Sequence, residues 1–150
     1  MLRDRAFVPL SEQHQHGLAL CVLTERSLQD SPSPETVNRL AGRAVDRYDA
    51  ELTNHFAVEE EEVFPAIAQE LGEYPIVHEL VAEHRQIEKI VERLRTAPDA
   101  ALLAEFAALL RAHIRREENE LLEDIQQRLS RKALDSLGAR IDAKAVRIPI

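Results

Sequence analysis

HFAVEEEEVFPAI (residues 55–67) sets one histidine ahead of four consecutive glutamates inside an apolar pattern, and HIRREENELLEDI (residues 113–125) repeats the arrangement 58 positions later. In that register His55 matches His113, Glu59 matches Glu117, Glu60 matches Glu118 and Glu62 matches Glu120. The apolar positions follow: Val63 with Leu121, Phe64 with Leu122, Ile67 with Ile125. A merely solvated acidic run has no need of such a register, so the chain builds one thing twice.

Working outward from the two copies, the spacing predicts helices. In the first copy an apolar stripe runs through Val37, Ala41, Ala44, Tyr48, Leu52, His55, Glu59 and Ala66, in steps that keep one helical face. Ser33-Pro34 reads as its cap and first-turn proline, Pro65 as a kink and Gly72 as its stop. In the second copy Leu103, Phe106, Leu110, His113, Glu117 and Leu121 share a stripe, behind a capping box at Thr96–Asp99. Between them a helix starting near Tyr74-Pro75 turns Val77, Leu80, Val81, His84, Ile87, Val91 and Leu94 inward. Ahead of them Ser11 is expected to cap a helix reaching about Gln29, and SPSP (31–34) breaks it. Ser130 caps a short fifth helix ending near Ala143, and VRIPI (146–150) is an ordered or fraying tail. Long amphipathic helices with short connections predict an all-α fold, an antiparallel up-down four-helix bundle with a short C-terminal fifth helix, as one domain over residues 1–150.

Composition agrees and excludes several functions. Four glycines and no tryptophan in 150 residues rich in Ala, Leu, Glu and Arg favour helix. With Lys+Arg 19 against Asp+Glu 27, the net charge of -8 argues against nucleic-acid or anionic-membrane partners. MLRDRAFVPLSEQ holds no apolar stretch of signal-peptide length, and no segment approaches the roughly 20 apolar residues of a membrane span. The lone Cys21 excludes an internal disulfide framework and suits a reducing compartment, so the expected setting is cytoplasmic.

His55 with Glu59, and His113 with Glu117, stand four apart and one turn above each other, on stripes that face the core. Burying an unpaired carboxylate is expensive, and neither stripe carries a lysine or arginine to neutralise it. A divalent metal ion would do so, and imidazole with carboxylate suits iron, manganese or zinc. His84, between Val81 and Ile87, joins the two pairs, whereas His78 shares an outward face with Ala82, Arg85 and Lys89. On the first helix His14 continues through Leu18, Cys21 and Glu25, and His16 through Leu20, Leu23 and Ser27; periodicity leaves both open. Cys21 reads as core packing, and Glu60–Glu62 as mostly a solvated face with Glu62 near the inward stripe. Glu118, five after His113, points inward only if the helix is distorted.

QHQHGLAL, HFAVEEEEVFPAI, AEHRQI and HIRREENELLEDI, in this order and spacing, resemble the hemerythrin-like HHE cation-binding family from about Leu10 to Leu129. The resemblance implies a four-helix bundle holding a non-haem di-iron centre. By family position it implies the ligands His14, His55, Glu59, His84, His113 and Glu117, with the two carboxylates bridging the metals. Oxygen carriers of the family have HxxxH on the third helix, whereas Leu80 and Glu88 stand four either side of His84; their last-helix HxxxxD is HxxxE here. That departure implies one histidine fewer and an additional open position, a layout nearer the family's bacterial HHE and iron-responsive members than a reversible oxygen carrier.

The expected function is therefore a di-iron protein, with zinc or manganese as substitutes, that handles or senses oxygen, nitric oxide, peroxide or iron itself. As an enzyme it would be an oxidoreductase, for example turning over peroxide; no Gly-rich phosphate loop, CxxC or nucleophile elbow points to other chemistry. A ferritin-like oxidase fits less well, since its Glu-x-x-His signature reverses the order seen here. The rival from another class is a helical interaction module whose site takes zinc or stays metal-free.

Overall fold

Apolar side chains at helical spacing dictate the architecture. The computed structural model describes residues 2–147, all-helical with no strand among them. A 3-10 turn (Arg5–Phe7), capped by the Asp4 carboxylate on the Ala6 N–H at 3.0 Å, leads directly into α1 (Val8–Asp30). The first helix thus begins earlier than the expected Ser11 cap, because Pro9 already occupies its first turn; the Ser11 hydroxyl instead donates to Glu118 at 2.8 Å. Ser33 caps α2 (Pro34–Arg47), accepting from the Thr36 N–H at 3.2 Å.

The helical course then continues through two π turns, Tyr48–Leu52 and Glu59–Val63, which bracket α3 (Thr53–Val58) and precede α4 (Phe64–Leu71). Pro65 falls in the first turn of α4, so the irregularity is a π turn just before it. Gly72, at φ 75, stops α4 in backbone that side chains rarely adopt. Next come α5 (Pro75–Thr96) and α6 (Ala100–Arg116), a third π turn (Glu117–Leu122), α7 (Glu123–Arg128) and α8 (Arg131–Lys144). Asp99 caps α6 by accepting from the Leu102 N–H at 3.1 Å, so the expected Thr96 capping box is replaced by a shorter acidic cap. Ser130 caps α8 as expected; of the expected tail, residues 148–150 lie outside the described residues.

Helix α1 packs on α6, α6 on α5, α5 on α2 and α2 on α1, which closes a ring of neighbours around a common interior. That interior holds two apolar clusters. One gathers Leu20, Cys21, Leu40, Phe56, Ile87, Leu103, Phe106 and Ile114; the other gathers Phe7, Leu10, Val63, Ile67, Leu80, Leu121 and Leu137. His14 lies in sequence between Leu10 and Leu20, His84 between Leu80 and Ile87, and Glu117 between Ile114 and Leu121. Each core helix therefore passes from one apolar cluster to the other through a polar layer. Helix α8 covers the second cluster with Leu134, Leu137 and Ile141, and Gly138 lets it approach the 3-10 turn closely.

An added Cβ at Gly138 would stand 3.0 Å from the Ala6 Cα, whereas one at Gly42 meets nothing within 4 Å. Gly42→Ala should raise unfolding free energy by about 0.5–1 kcal/mol through lost chain entropy. Gly138→Val should lower it by about 1–3 kcal/mol through overpacking. Denaturant titrations followed by circular dichroism measure both.

Candidate metal centre

Each core helix contributes to the polar layer through one face. On α1 the buried residues are Gln13, His14, Gly17, Leu20, Cys21 and Thr24, a helical stripe that carries His14 inward. Leu20 accordingly belongs with His14, against the sequence reading that grouped it with His16. His16 turns to the side, where its Nδ1 lies 2.7 Å from Glu51 on the first π turn. Cys21 packs in the core, its thiol pushed up to about 11 by burial.

His14, His55, Glu59, His84, His113 and Glu117 converge, and none is more than 3% exposed. Two overlapping groups of potential donors form. His14, His55, Glu59 and Glu117 make one, and Glu59, His84, His113 and Glu117 the other, with the donor atoms of each group lying within 4.8 Å of one another. Both groups share Glu59 and Glu117. The nearest approaches are His14 Nε2 to Glu117 Oε1 at 2.8 Å, His84 Nε2 to Glu59 Oε1 at 3.0 Å and His113 Nε2 to Glu117 Oε2 at 3.0 Å. His55 Nε2 lies 3.3 Å from Glu59 and 3.4 Å from Glu117.

Of these contacts, only those of His14 Nε2 and His55 Nε2 with Glu117 Oε1 are hydrogen bonds among the described residues. Both Glu59 carboxylate oxygens, Glu117 Oε2 and the Nε2 atoms of His84 and His113 are buried without a hydrogen-bond partner. Leaving buried polar atoms unsatisfied costs on the order of 1–3 kcal/mol each, more for charged groups. Several such atoms aimed at one place are what a cation would satisfy together, so the donor set fits a metal.

The outer edges of the imidazoles are satisfied. His14 Nδ1 bonds Glu118 at 2.6 Å, His55 Nδ1 bonds Gln13 Oε1 at 2.8 Å, His84 Nδ1 bonds Glu60 at 2.7 Å and His113 Nδ1 bonds Glu83 at 2.7 Å. Carboxylates and the amide oxygen only accept, so each Nδ1 carries the proton and each Nε2 is aimed at the shared carboxylates. The π turns make this arrangement possible. The second and third begin at the inward glutamates Glu59 and Glu117, and successive side chains diverge less in angle there than in an α-helix. Glu117 can therefore face the centre while Glu118 reaches His14, and Glu59 and Glu60 do the same around His84.

Gln13, Glu60, Glu83 and Glu118 are the residues whose role sequence reasoning missed. Glu60, read as solvated, instead backs His84. Gln13 and Glu83 each stand one residue before an inward histidine, a signal visible only once both helices are aligned. Glu62 is not near the centre: it pairs with Arg140 and Lys144 on α8. His78 is exposed and pairs with Glu73. Phe56 stacks on His84 with ring centroids 3.9 Å apart and meets His113 edge-on at 5.9 Å, placing an apolar wall against the cluster.

Electrostatics express the same crowding. Burial disfavours charged His55, but Glu59 and Glu117 outweigh it and push the imidazole up to about 10. Burial likewise opposes charging of His84 and His113, yet the same carboxylates push them up to about 10 and about 9. Burial alone would raise Glu117, but His113, His14 and His55 hold it well below the ordinary carboxyl range. Protons on the imidazoles are thus the alternative to a cation at this centre.

The description of the hemerythrin HHE cation-binding domain matches residues 8–125. The chain belongs to that family. No curated protein and no solved structure gives a match. The matched HHE segment includes all six converging residues, and its boundaries leave α8 outside.

Glu59→Ala and Glu117→Ala should each remove most bound metal while helicity persists, because each carboxylate belongs to both donor groups. His14→Ala, which touches one donor group only, should lower metal content at that one position, and His16→Ala should leave metal content unchanged. Elemental analysis with parallel circular dichroism checks all four variants.

Proposed function

We propose that this HHE chain holds two iron ions per molecule in an up-down four-helix bundle and handles a small exogenous ligand: oxygen, nitric oxide or peroxide. The single observation that carries the reading is the pair of overlapping donor groups sharing Glu59 and Glu117. Together the two groups bring four histidines and two carboxylates, more donors than one ion needs, and two histidines with two shared carboxylates to each of two positions. They leave each position short of a full octahedral set, which is where an exogenous ligand would bind. When bound, the ions would supply the redox and ligand-binding chemistry.

The chain's own residues select the ligand by size and polarity. The six inward residues are sealed between two apolar clusters, with Phe56 against His84 and His113. A surface depression of about 260 Å³, lined in part by Glu12, Gln13, His16, Glu51 and Val146, stops at Gln13, one hydrogen bond from His55. Diatomic molecules and peroxide can cross so thin a barrier through small side-chain movements; a bulky substrate cannot. The metal-free interaction module loses support from the unpartnered Glu59 and Glu117 oxygens, which no apolar partner helix would satisfy.

Protein produced with ample iron should carry close to two irons per chain and show ligand-to-metal charge-transfer absorption that changes on adding peroxide or nitric oxide. One zinc per chain and a featureless visible spectrum under those conditions would reject the reading.

A further inference from the structure

The four outer hydrogen bonds are alike in geometry but not in charge. His84 and His113, of one donor group, are both backed by carboxylates, Glu60 and Glu83. In the other group His14 is backed by Glu118, but His55 is backed by the neutral Gln13 amide. The three carboxylates resemble one another closely. Each is 18–26% exposed, and each meets an arginine: Glu118 with Arg3, Glu60 with Arg85, Glu83 with Arg116. Gln13 stands apart in being 3% exposed. Its orientation is fixed, because its Nε2 donates to the Val146 carbonyl at 3.2 Å and to Asn54 Oδ1 at 3.3 Å, leaving Oε1 for His55. A carboxylate that accepts the Nδ1 proton makes the opposite nitrogen a stronger donor, and a neutral amide does so less.

We propose that Gln13 makes the two metal positions unequal, so that the His84/His113 position fills first and the His14/His55 position holds its ion more weakly. This rests on the two-ion reading above. Glu59 and Glu117 serve both positions and cannot create the difference; the outer partners can. Gln13 also borders the surface depression, so the weakly held ion is the one nearest that opening. The glutamine itself is dictated by the segment after α8: a glutamate would set its carboxylate against the Val146 carbonyl and the Asn54 oxygen. Gln13 is thus a positioning residue, tied through Asn54 to Lys144 and Val146.

Since Gln13→Glu would disturb that segment, the test starts from Glu83 and Glu118. The probe is Co²⁺, titrated into metal-free protein by calorimetry, with anomalous diffraction from crystals grown at one equivalent. The wild type should bind two Co²⁺ in two steps, with the one-equivalent density beside His84 and His113. Glu83→Gln should weaken the first step by about 10- to 100-fold and leave the second nearly unchanged. Glu118→Gln should weaken the second step and spare the first, a contrast that general destabilisation would not produce. Density shared equally between positions, or lying beside His14 and His55, would overturn the inference while leaving two ions per chain intact. Equal responses of both steps in the two variants would do the same. Saturation at a single Co²⁺ in the wild type would overturn the two-ion reading and this inference with it.

Discussion

Two carboxylates, Glu59 and Glu117, lie fully buried at the centre of a helical bundle, and among the described residues no lysine or arginine pairs with them. An uncompensated buried charge costs several kcal/mol, and the surrounding structure is arranged around that fact. Four imidazoles ring the pair, their outer nitrogens are tied down, and apolar clusters close both ends. Without a cation, protons on the histidines supply the neutralising charge. With one, the same nitrogens become donors.

The internal repeat gives this arrangement an approximate twofold character. Gln13-His14 with His55-Glu59-Glu60 forms one half, and Glu83-His84 with His113-Glu117-Glu118 the other. The halves interlock. Glu118 backs the histidine of α1 and Glu60 the histidine of α5, so each π turn supports a histidine on another helix. Only the partner before the inward histidine differs, amide against carboxylate. A duplicated frame can thus hold two metal positions that are similar in shape and different in donor strength.

Much of this was legible in the sequence because helical periodicity and four-residue spacing are local. Placing His55, Glu59, His113 and Glu117 on inward faces required only that the stripes continue, and they do. His14 against His16 was not decidable, since Leu20 and Cys21 are both buried and support either face. The π turns were not legible either. Those at Glu59 and Glu117 occur where a buried carboxylate and its neighbour both serve the centre, a tertiary demand, and so Glu60 was misread as solvated and Glu62 placed too near the centre. The outer role of Gln13 depends on the segment after α8, more than 130 residues away in the chain.

Whether two ions share Glu59 and Glu117 is read directly by anomalous diffraction at the iron edge from iron-loaded crystals. Two peaks about 3.5–4 Å apart are expected, the spacing of two-metal sites generally, one beside His14 and His55 and the other beside His84 and His113, with both carboxylates in contact with both. A single peak, or two peaks that share neither glutamate, would contradict that sharing.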